Sequence, residues 1–290
     1  MKVTGFSFIK NAVRYDFPIV EAIKSVLPLC DDFVIAVGEC DDGTLDLIKG
    51  IDPNKIKIVP TVWNEELREG GRTFALETDK AFAQIPEDSD WAFYIQGDEV
   101  IHEKYLDMVY ESMKRYKDDP KVDGLLFKYL HFYGSYDYVG ASSNWYKNEI
   151  RVIKNDKAIY SYRDAQGFRK GDDEKLRVKP IDAYIYHYGW VREPKAMQQK
   201  RAAFVRFYRE DNPKDTAALQ GDNYEYEKHV RELAAFKDDH PVIMKERIAR
   251  INWKFDYDIS FRKRSLKDKA KNILYKAFGI DLNYRNYKIV

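Results

Sequence analysis

Apolar runs alternate with amphipathic stretches through the first half of the chain. The runs are short and rich in β-branched and aromatic residues, which predicts strands at Val3–Ile9, Asp32–Val37, Ile56–Val59, Trp91–Ile95 and Gly124–Phe132. Between them, residues 18–27, 44–51, 73–84 and 104–117 repeat apolar side chains at helical spacing. Regular alternation of strand and helix predicts an α/β fold with a parallel sheet and right-handed crossovers.

The pattern changes after residue 132. Short strands separated by polar turns are predicted at Ile150–Ile153, Ala158–Tyr162 and Ile181–Tyr188, and a helix at Pro194–Arg209. The remaining residues are charged and helical in tendency. We therefore expect a mostly parallel central sheet with a small mixed β extension in residues 1–200, and a helical C-terminal appendage in residues 201–290.

The most informative stretch is Trp91–His102. Five apolar residues, Trp91–Ile95, predict a buried central strand, and Gln96, Gly97, Asp98 and Glu99 follow at its carboxyl end. Open α/β sheets bind their ligands at that end, and two carboxylates there need a cation or donors nearby. The alternative is a turn with a solvated Asp and a helix that begins near Glu99.

Charge and motifs exclude several classes of function. The 49 basic and 48 acidic residues nearly cancel, so the chain has no overall field for nucleic acid. The two cysteines have no metal-ligand spacing, no signal peptide is evident, and no apolar run approaches roughly 18 residues, so we expect a cytoplasmic protein. Fingerprints of dinucleotide-binding folds, P-loops, zincins and α/β-hydrolases are missing from the sequence.

The order of four short motifs resembles the family 2 glycosyltransferases of the GT-A fold, the fold of nucleotide-diphospho-sugar transferases. The motifs are Asn11-Ala12, Asp41-Asp42-Gly43-Thr44, Gln96-Gly97-Asp98-Glu99 and Tyr186-His187-Tyr188. The resemblance covers about residues 1 to 200. Gln96 departs from it, standing where the family usually has the first Asp of Asp-x-Asp. Ala12 departs too, standing where a Glu usually follows the Asn.

The resemblance implies a nucleotide-sugar donor and a divalent cation. Mg²⁺ or Mn²⁺ would neutralise the leaving diphosphate through oxygen ligands, which makes Asp98 the expected metal ligand. His187 matches a family position that supplies a further metal or diphosphate contact, although a core histidine is the alternative. The expected nucleotide-sugar-binding residues are Phe8, Lys10, Asn11, Glu39, Asp42, Arg72, Gln96 and Gly97.

Inverting transfer of a sugar also needs a base that accepts the proton of the acceptor hydroxyl. Asp164 follows a short predicted strand in a position that resembles the family's base, and Arg163 beside it favours the ionised carboxylate. The expected acceptor is a glycan or a lipid-linked molecule, as in polysaccharide biosynthesis. Two other functions stay open at this point: a sugar nucleotidyltransferase, and an inert relative that binds nucleotide sugar or glycan.

Within residues 261–290, the stretch 262–278 predicts a basic amphipathic helix that Gly279 would end. Leu266, Ile273 and Phe278 fall on one face, and lysines spread over the remainder. Such a helix could attach reversibly to the inner face of a membrane, or it could pack its apolar face on its own protein.

Overall fold

A sheet that is parallel through its first half forms the middle of the molecule. The computed structural model describes residues 1–142, 144–208, 221–230, 232–260 and 285–290. Its first elements are β1 (Val3–Ile9), α1 (Ile19–Val26), β2 (Asp32–Gly38), α2 (Thr44–Lys49), β3 (Ile56–Thr61), α3 (Arg72–Ala83), β4 (Trp91–Tyr94), β5 (Glu99–Ile101) and α4 (Leu106–Tyr116). β1 lies between β2 and β4, and β3 flanks β2, with every pairing parallel.

The second half of the chain extends this sheet and adds a smaller one. Its elements are β6 (Gly124–Tyr133), β7 (Tyr138–Gly140), β8 (Asn148–Lys154), β9 (Ile159–Tyr162), β10 (Gly167–Lys170), β11 (Glu174–Lys175), β12 (Arg177–Trp190), α5 (Pro194–Val205), α6 (Tyr226–His229), β13 (Leu233–Ala235), α7 (Lys245–Ala249) and β14 (Lys288–Ile289). β8 inserts between β4 and β6, antiparallel to both, and β12 runs parallel to β6. The predicted α/β fold class, with a largely parallel central sheet, is confirmed.

The mixed β extension has two parts. β9, β10 and β11 form a separate antiparallel sheet, whereas β7 and β13 add antiparallel strands at one edge of the main sheet. β8 and β12, which the sequence assigned to the extension, belong instead to the main sheet. The buried residues of β8 fill the gap between the two parallel regions, so the apolar run at residues 150–153 is a core strand.

The central strand β4 shows why the fold forms. All four of its side chains are fully buried, as the unbroken apolar run predicted. Successive side chains on a strand point to opposite faces of the sheet. Trp91 and Phe93 therefore pack with α1 and α4 in one core, and Ala92 and Tyr94 pack with α3 in the other.

The chain beyond residue 200 is described only in part. Its described residues form the end of α5, the short helices α6 and α7, the edge strand β13, and β14, which pairs with the start of β12. The proposed boundary at residue 200 stays a prediction. The basic amphipathic helix, with its predicted membrane contact, falls mainly on residues 261–284, which lie outside the described residues. In the part of the chain that the structure describes, no helix has both the length and the apolarity needed to cross a membrane.

Candidate active site

A cavity of about 510 Å³ opens at the carboxyl ends of β1 and β4. The turn between β9 and β10 forms a second wall, and α5 forms a third through Met197, Lys200 and Phe204. The position agrees with the general rule for ligands in open α/β sheets, and the volume falls in the usual range of about 300–1,000 Å³ for small-molecule sites.

Seven residues singled out from the sequence line this cavity: Phe8, Lys10, Gln96, Gly97, Asp98, Asp164 and His187. They come from strand ends and turns up to 179 positions apart in the chain, from Phe8 to His187. The fold thus gathers the predicted metal ligands, the predicted base and half of the predicted nucleotide-sugar-binding residues around one space.

Four predicted residues lie outside the lining. Asn11 is buried with φ 53°, and its backbone N–H contacts the sulfur of Cys40. Glu39 is exposed. Asp42 accepts hydrogen bonds from the backbone and hydroxyl of Thr44, which is ordinary turn chemistry. Arg72 points to solvent and pairs with Glu69, with 63% of its side chain exposed.

Asp98 is held in a ring of basic groups. Its Oδ2 lies 3.1 Å from the Lys200 ammonium and 3.8 Å from Arg192, and its Oδ1 lies 3.8 Å from Nε2 of His187. Burial alone would raise the pKa of Asp98, but the charges of Lys200, His187 and Arg192 outweigh it and hold that pKa well below its usual value. Asp98 is therefore a carboxylate at neutral pH.

Lys200 reaches Asp98 because α5 starts four residues after the end of β12 and runs back over the cavity. The ammonium also donates to the carbonyl of Gly189, at 3.2 Å. Burial lowers the pKa of Lys200 to about 8, with Arg192 adding to the effect and Asp98 opposing it. Lys200 remains mostly cationic at pH 7.

Gln96 ties β4 to the turn that carries Asp164. Its Nε2 donates to the carbonyl of Ala165 at 2.9 Å and to the hydroxyl of Tyr94 at 3.3 Å. The reverse orientation of the amide would set two oxygens against each other at Ala165, so this contact fixes the side chain. Gln96 thus acts as a brace between two walls of the cavity.

Asp164 sits in a tight turn between β9 and β10, flanked by Arg163 and Ala165 at φ 58° and 63°. It is half-buried, and its Oδ2 accepts a hydrogen bond from Tyr208 at 3.2 Å. Burial raises the pKa of Asp164, and the hydrogen bond from Tyr208 and the charge of Arg163 offset only part of this. Arg163 thus favours the ionised carboxylate, as expected, but desolvation has the larger effect and makes Asp164 a stronger proton acceptor.

An ion pair supports the floor of the site from below. Arg151 donates from Nε and Nη2 to Glu99 at 2.8 and 2.7 Å, and both side chains are fully buried. Tyr129 adds a hydroxyl at 2.7 Å, and Arg151 also donates to the carbonyl of Gln166 at 3.0 Å. Glu99 therefore orients its neighbours and does not face the cavity.

Sequence reasoning missed Lys200, Arg192 and Arg151. A signal existed for Lys200, because Met197 and Phe204 lie three and four residues away, on the same helix face. A lysine on an apolar stripe needs a buried partner. Arg151 likewise interrupts an apolar strand, whereas nothing in the local sequence marks Arg192.

The residues around Asp98 do not fit a divalent cation well. Mg²⁺ and Mn²⁺ prefer oxygen ligands, but of the two predicted metal ligands, Asp98 and His187, Asp98 alone has a carboxylate. The negative charge of Asp98 is already balanced by Lys200, and Arg192 lies on the same carboxylate oxygen at 3.8 Å. A Cβ placed on Gly189 would lie 2.5 Å from His187 Nε2 and 3.0 Å from Asp98 Oδ2, so backbone packs closely against the pair. Within the described ranges, no group of three or more His, Cys, Asp or Glu side chains could hold a metal ion.

Comparison with known proteins gives structural matches alone. No protein-family model matches the sequence, and no curated protein matches it. S. aureus TarS is 14% identical over 70% of this chain, with a TM-score of 0.39, and the match spans 39% of the TarS chain. This chain therefore matches well under half of that protein.

Two further solved structures are similar in fold. The 4-diphosphocytidyl-2C-methyl-D-erythritolsynthase of Anaerococcus prevotii is 12% identical, with 63% of this chain and 87% of that chain covered and a TM-score of 0.36. Glucosyl-3-phosphoglycerate synthase of Mycobacterium tuberculosis, solved with Mn²⁺, UDP and phosphoglyceric acid, is 16% identical, with 45% and 43% covered and a TM-score of 0.29. Identities and TM-scores this low carry no function over to this chain.

Proposed function

We propose that the chain is a glycosyltransferase of the family 2 type. It would move a sugar from a nucleotide-diphosphate donor to a hydroxyl of a glycan or lipid-linked acceptor, with inversion at the anomeric carbon. One observation carries the proposal: a single cavity, at the carboxyl ends of β1 and β4, has a basic group anchored on Asp98 and a separate carboxylate, Asp164, on its walls.

The basic group near Asp98 and the carboxylate of Asp164 would have separate roles in an inverting displacement. The donor diphosphate carries negative charge and requires cations, which Lys10, Lys200 and Arg201 offer on the cavity wall. The acceptor hydroxyl must lose its proton as its oxygen attacks, and Asp164 is the carboxylate free to take it. In the proposed reaction the new bond forms between the acceptor oxygen and the anomeric carbon, while the bond to the diphosphate breaks.

The electrostatics of Asp164 suit a general base. A base is most effective when its pKa approaches the working pH, and burial raises the pKa of Asp164 toward that range. Tyr208 holds one carboxylate oxygen, which leaves the other available to a substrate. Gly71 packs so closely that a Cβ there would lie 2.5 Å from the Cβ of Asp164, and this contact limits movement of the turn.

Aromatic side chains supply the apolar part of the cavity. Tyr146, Trp190, Phe204 and Tyr208 line it together with Phe74. Aromatic rings with polar tips suit sugars, whose ring faces are apolar and whose edges carry hydroxyls. This lining supports a saccharide acceptor, free or lipid-linked.

Incubation with a panel of sugar nucleotides tests the proposal. UDP-, GDP- and dTDP-linked sugars would be offered with glycan and polyprenyl-phosphate acceptors, and free nucleoside diphosphate would be measured with and without Mn²⁺. Release of diphosphate from at least one donor is expected. Pyrophosphate release from a nucleoside triphosphate and a sugar phosphate would indicate a nucleotidyltransferase instead, and binding without any turnover would indicate an inert relative.

A further inference from the structure

The carboxylate expected to bind a metal instead positions a lysine. Lys200 Nζ donates to Asp98 Oδ2 at 3.1 Å and to the carbonyl of Gly189 at 3.2 Å. An ammonium group has three N–H donors, and these contacts use two of them. Because Lys200 also lines the cavity, the third donor is available to a ligand there.

A second cation supports the first from behind. Arg192 is fully buried, donates from Nε to the carbonyl of Tyr15 at 2.8 Å, and places Nη2 at 3.8 Å from Asp98. That Nη2 makes no hydrogen bond to any residue that the structure describes. Two cations therefore surround one carboxylate, and this small cluster carries a net positive charge beside the cavity. An incoming divalent cation would be repelled by the cluster, whereas an anion would be attracted.

We propose that Lys200 takes the place of a divalent cation in neutralising the diphosphate of the donor, and that donor binding needs no metal. The inference rests on the proposed function and deepens it. Asp98 and the Gly189 carbonyl hold the ammonium, and Arg192 is a positioning residue that lies 3.8 Å from Asp98. As the bond to the anomeric carbon breaks, its electron pair passes to the diphosphate oxygen, and the Lys200 ammonium stabilises that charge through a charge-assisted hydrogen bond.

This role also accounts for Gln96. A second carboxylate beside Asp98 would strengthen a metal site, but the residue in that place is Gln96, whose side chain is committed to Ala165. A lysine needs a single carboxylate partner. Gln96 in place of the first Asp of Asp-x-Asp is therefore consistent with Lys200 of α5 as the partner of Asp98.

Calorimetric binding of nucleoside diphosphates to the full chain tests the inference. UDP, GDP, ADP and dTDP would be titrated in EDTA and again in excess Mg²⁺ or Mn²⁺. We expect at least one of them to bind with an affinity that changes by less than about threefold between the two conditions. Lys200→Met should weaken that binding roughly 10- to 100-fold, the usual cost of losing a hydrogen bond to a charged group, and Lys200→Arg should recover part of it.

Lys195→Met is the matched control, because Lys195 is an exposed lysine of the same helix outside the cavity lining. It should leave the affinity unchanged. If EDTA abolishes wild-type binding and Mg²⁺ or Mn²⁺ restores it, the inference is wrong and the proposed function stands. If none of the nucleotides binds under either condition, both fail. The wild-type comparison decides whether binding needs a metal even if Lys200→Met does not fold, and Lys200→Arg, which keeps the charge, then tests the role of Lys200.

Discussion

Removing the charge of Glu99 should destabilise the protein strongly. Glu99 accepts four hydrogen bonds, from Arg151 at 2.7 and 2.8 Å, from Tyr129 at 2.7 Å and from the backbone of Gln96 at 3.1 Å. Both members of the ion pair are fully buried. Glu99→Gln keeps the shape but leaves the Arg151 guanidinium without a counter-charge, which costs about 3–5 kcal/mol for buried pairs.

Urea denaturation followed by far-UV circular dichroism measures this free energy. Asp46→Asn is the control, because the Lys49–Asp46 pair is exposed and such pairs contribute about 0–1 kcal/mol. The double variant Glu99→Met/Arg151→Met should lose less free energy of unfolding than Glu99→Met and Arg151→Met lose in sum. In the double variant, neither charge is left buried without its partner. A loss below about 1 kcal/mol for Glu99→Gln would refute the view that this pair supports the floor of the site.

Three further changes test two walls of the cavity, through Asp164 and Gln96, and the buried Glu149 of strand β8. Asp164→Asn should lower kcat by about 10²- to 10⁴-fold with little change in donor affinity. The control Glu39→Gln, outside the cavity, should leave both kcat and donor affinity unchanged. A loss of donor affinity as large as the loss in kcat would exclude Asp164 as the base. Gln96→Asp should lower stability by about 1–3 kcal/mol, because the shorter carboxylate cannot donate the hydrogen bond that Gln96 gives to the Ala165 carbonyl. Tighter Mn²⁺ binding in calorimetry would contradict the view that Asp98 and its neighbours do not suit a divalent cation. Burial raises the pKa of Glu149 from 4.5 to about 8, so the folded state binds its proton more tightly than the unfolded chain and loses stability as pH rises through that window. Glu149→Gln should flatten this loss in denaturation curves between pH 5 and 8, and identical slopes would argue against a buried protonated Glu149.

The fold was predictable because its signals are local. Each core strand is a short apolar run, and β4 needs nothing beyond its own residues to indicate full burial. The position of the cavity followed from the same pattern, since side chains at the carboxyl ends of neighbouring parallel strands meet at one edge of the sheet. Asp98 and Gln96 could therefore be placed near Lys10 without any knowledge of contacts.

The partners of those residues could not be predicted, because they come from distant parts of the chain. Lys200 lies 102 positions from Asp98, and Arg151 lies 52 positions from Glu99. Sequence spacing says nothing about where α5 runs after β12, or that β8 enters the central sheet. The resemblance to a metal-dependent family also favoured a metal ligand at Asp98, while the lysine that matches its charge lay beyond the motifs.

The predicted nucleotide-sugar-binding residues after β2 lie outside the cavity lining, and their role stays a prediction. Asp42 and Thr44 carry strong turn chemistry, and in the structure they use it on each other and on the backbone of Arg14. The Asp-Asp-Gly-Thr motif is direct evidence for a turn. It indicates a ligand-binding role only by analogy with other proteins.

A crystal structure with a nucleoside diphosphate bound in EDTA would show whether Lys200 takes the place of a metal. We expect the diphosphate in the cavity at the carboxyl ends of β1 and β4, with a phosphate oxygen within hydrogen-bond distance of Lys200 Nζ. A nucleotide ordered elsewhere on the protein, with this cavity empty at saturating ligand, would contradict this role of Lys200.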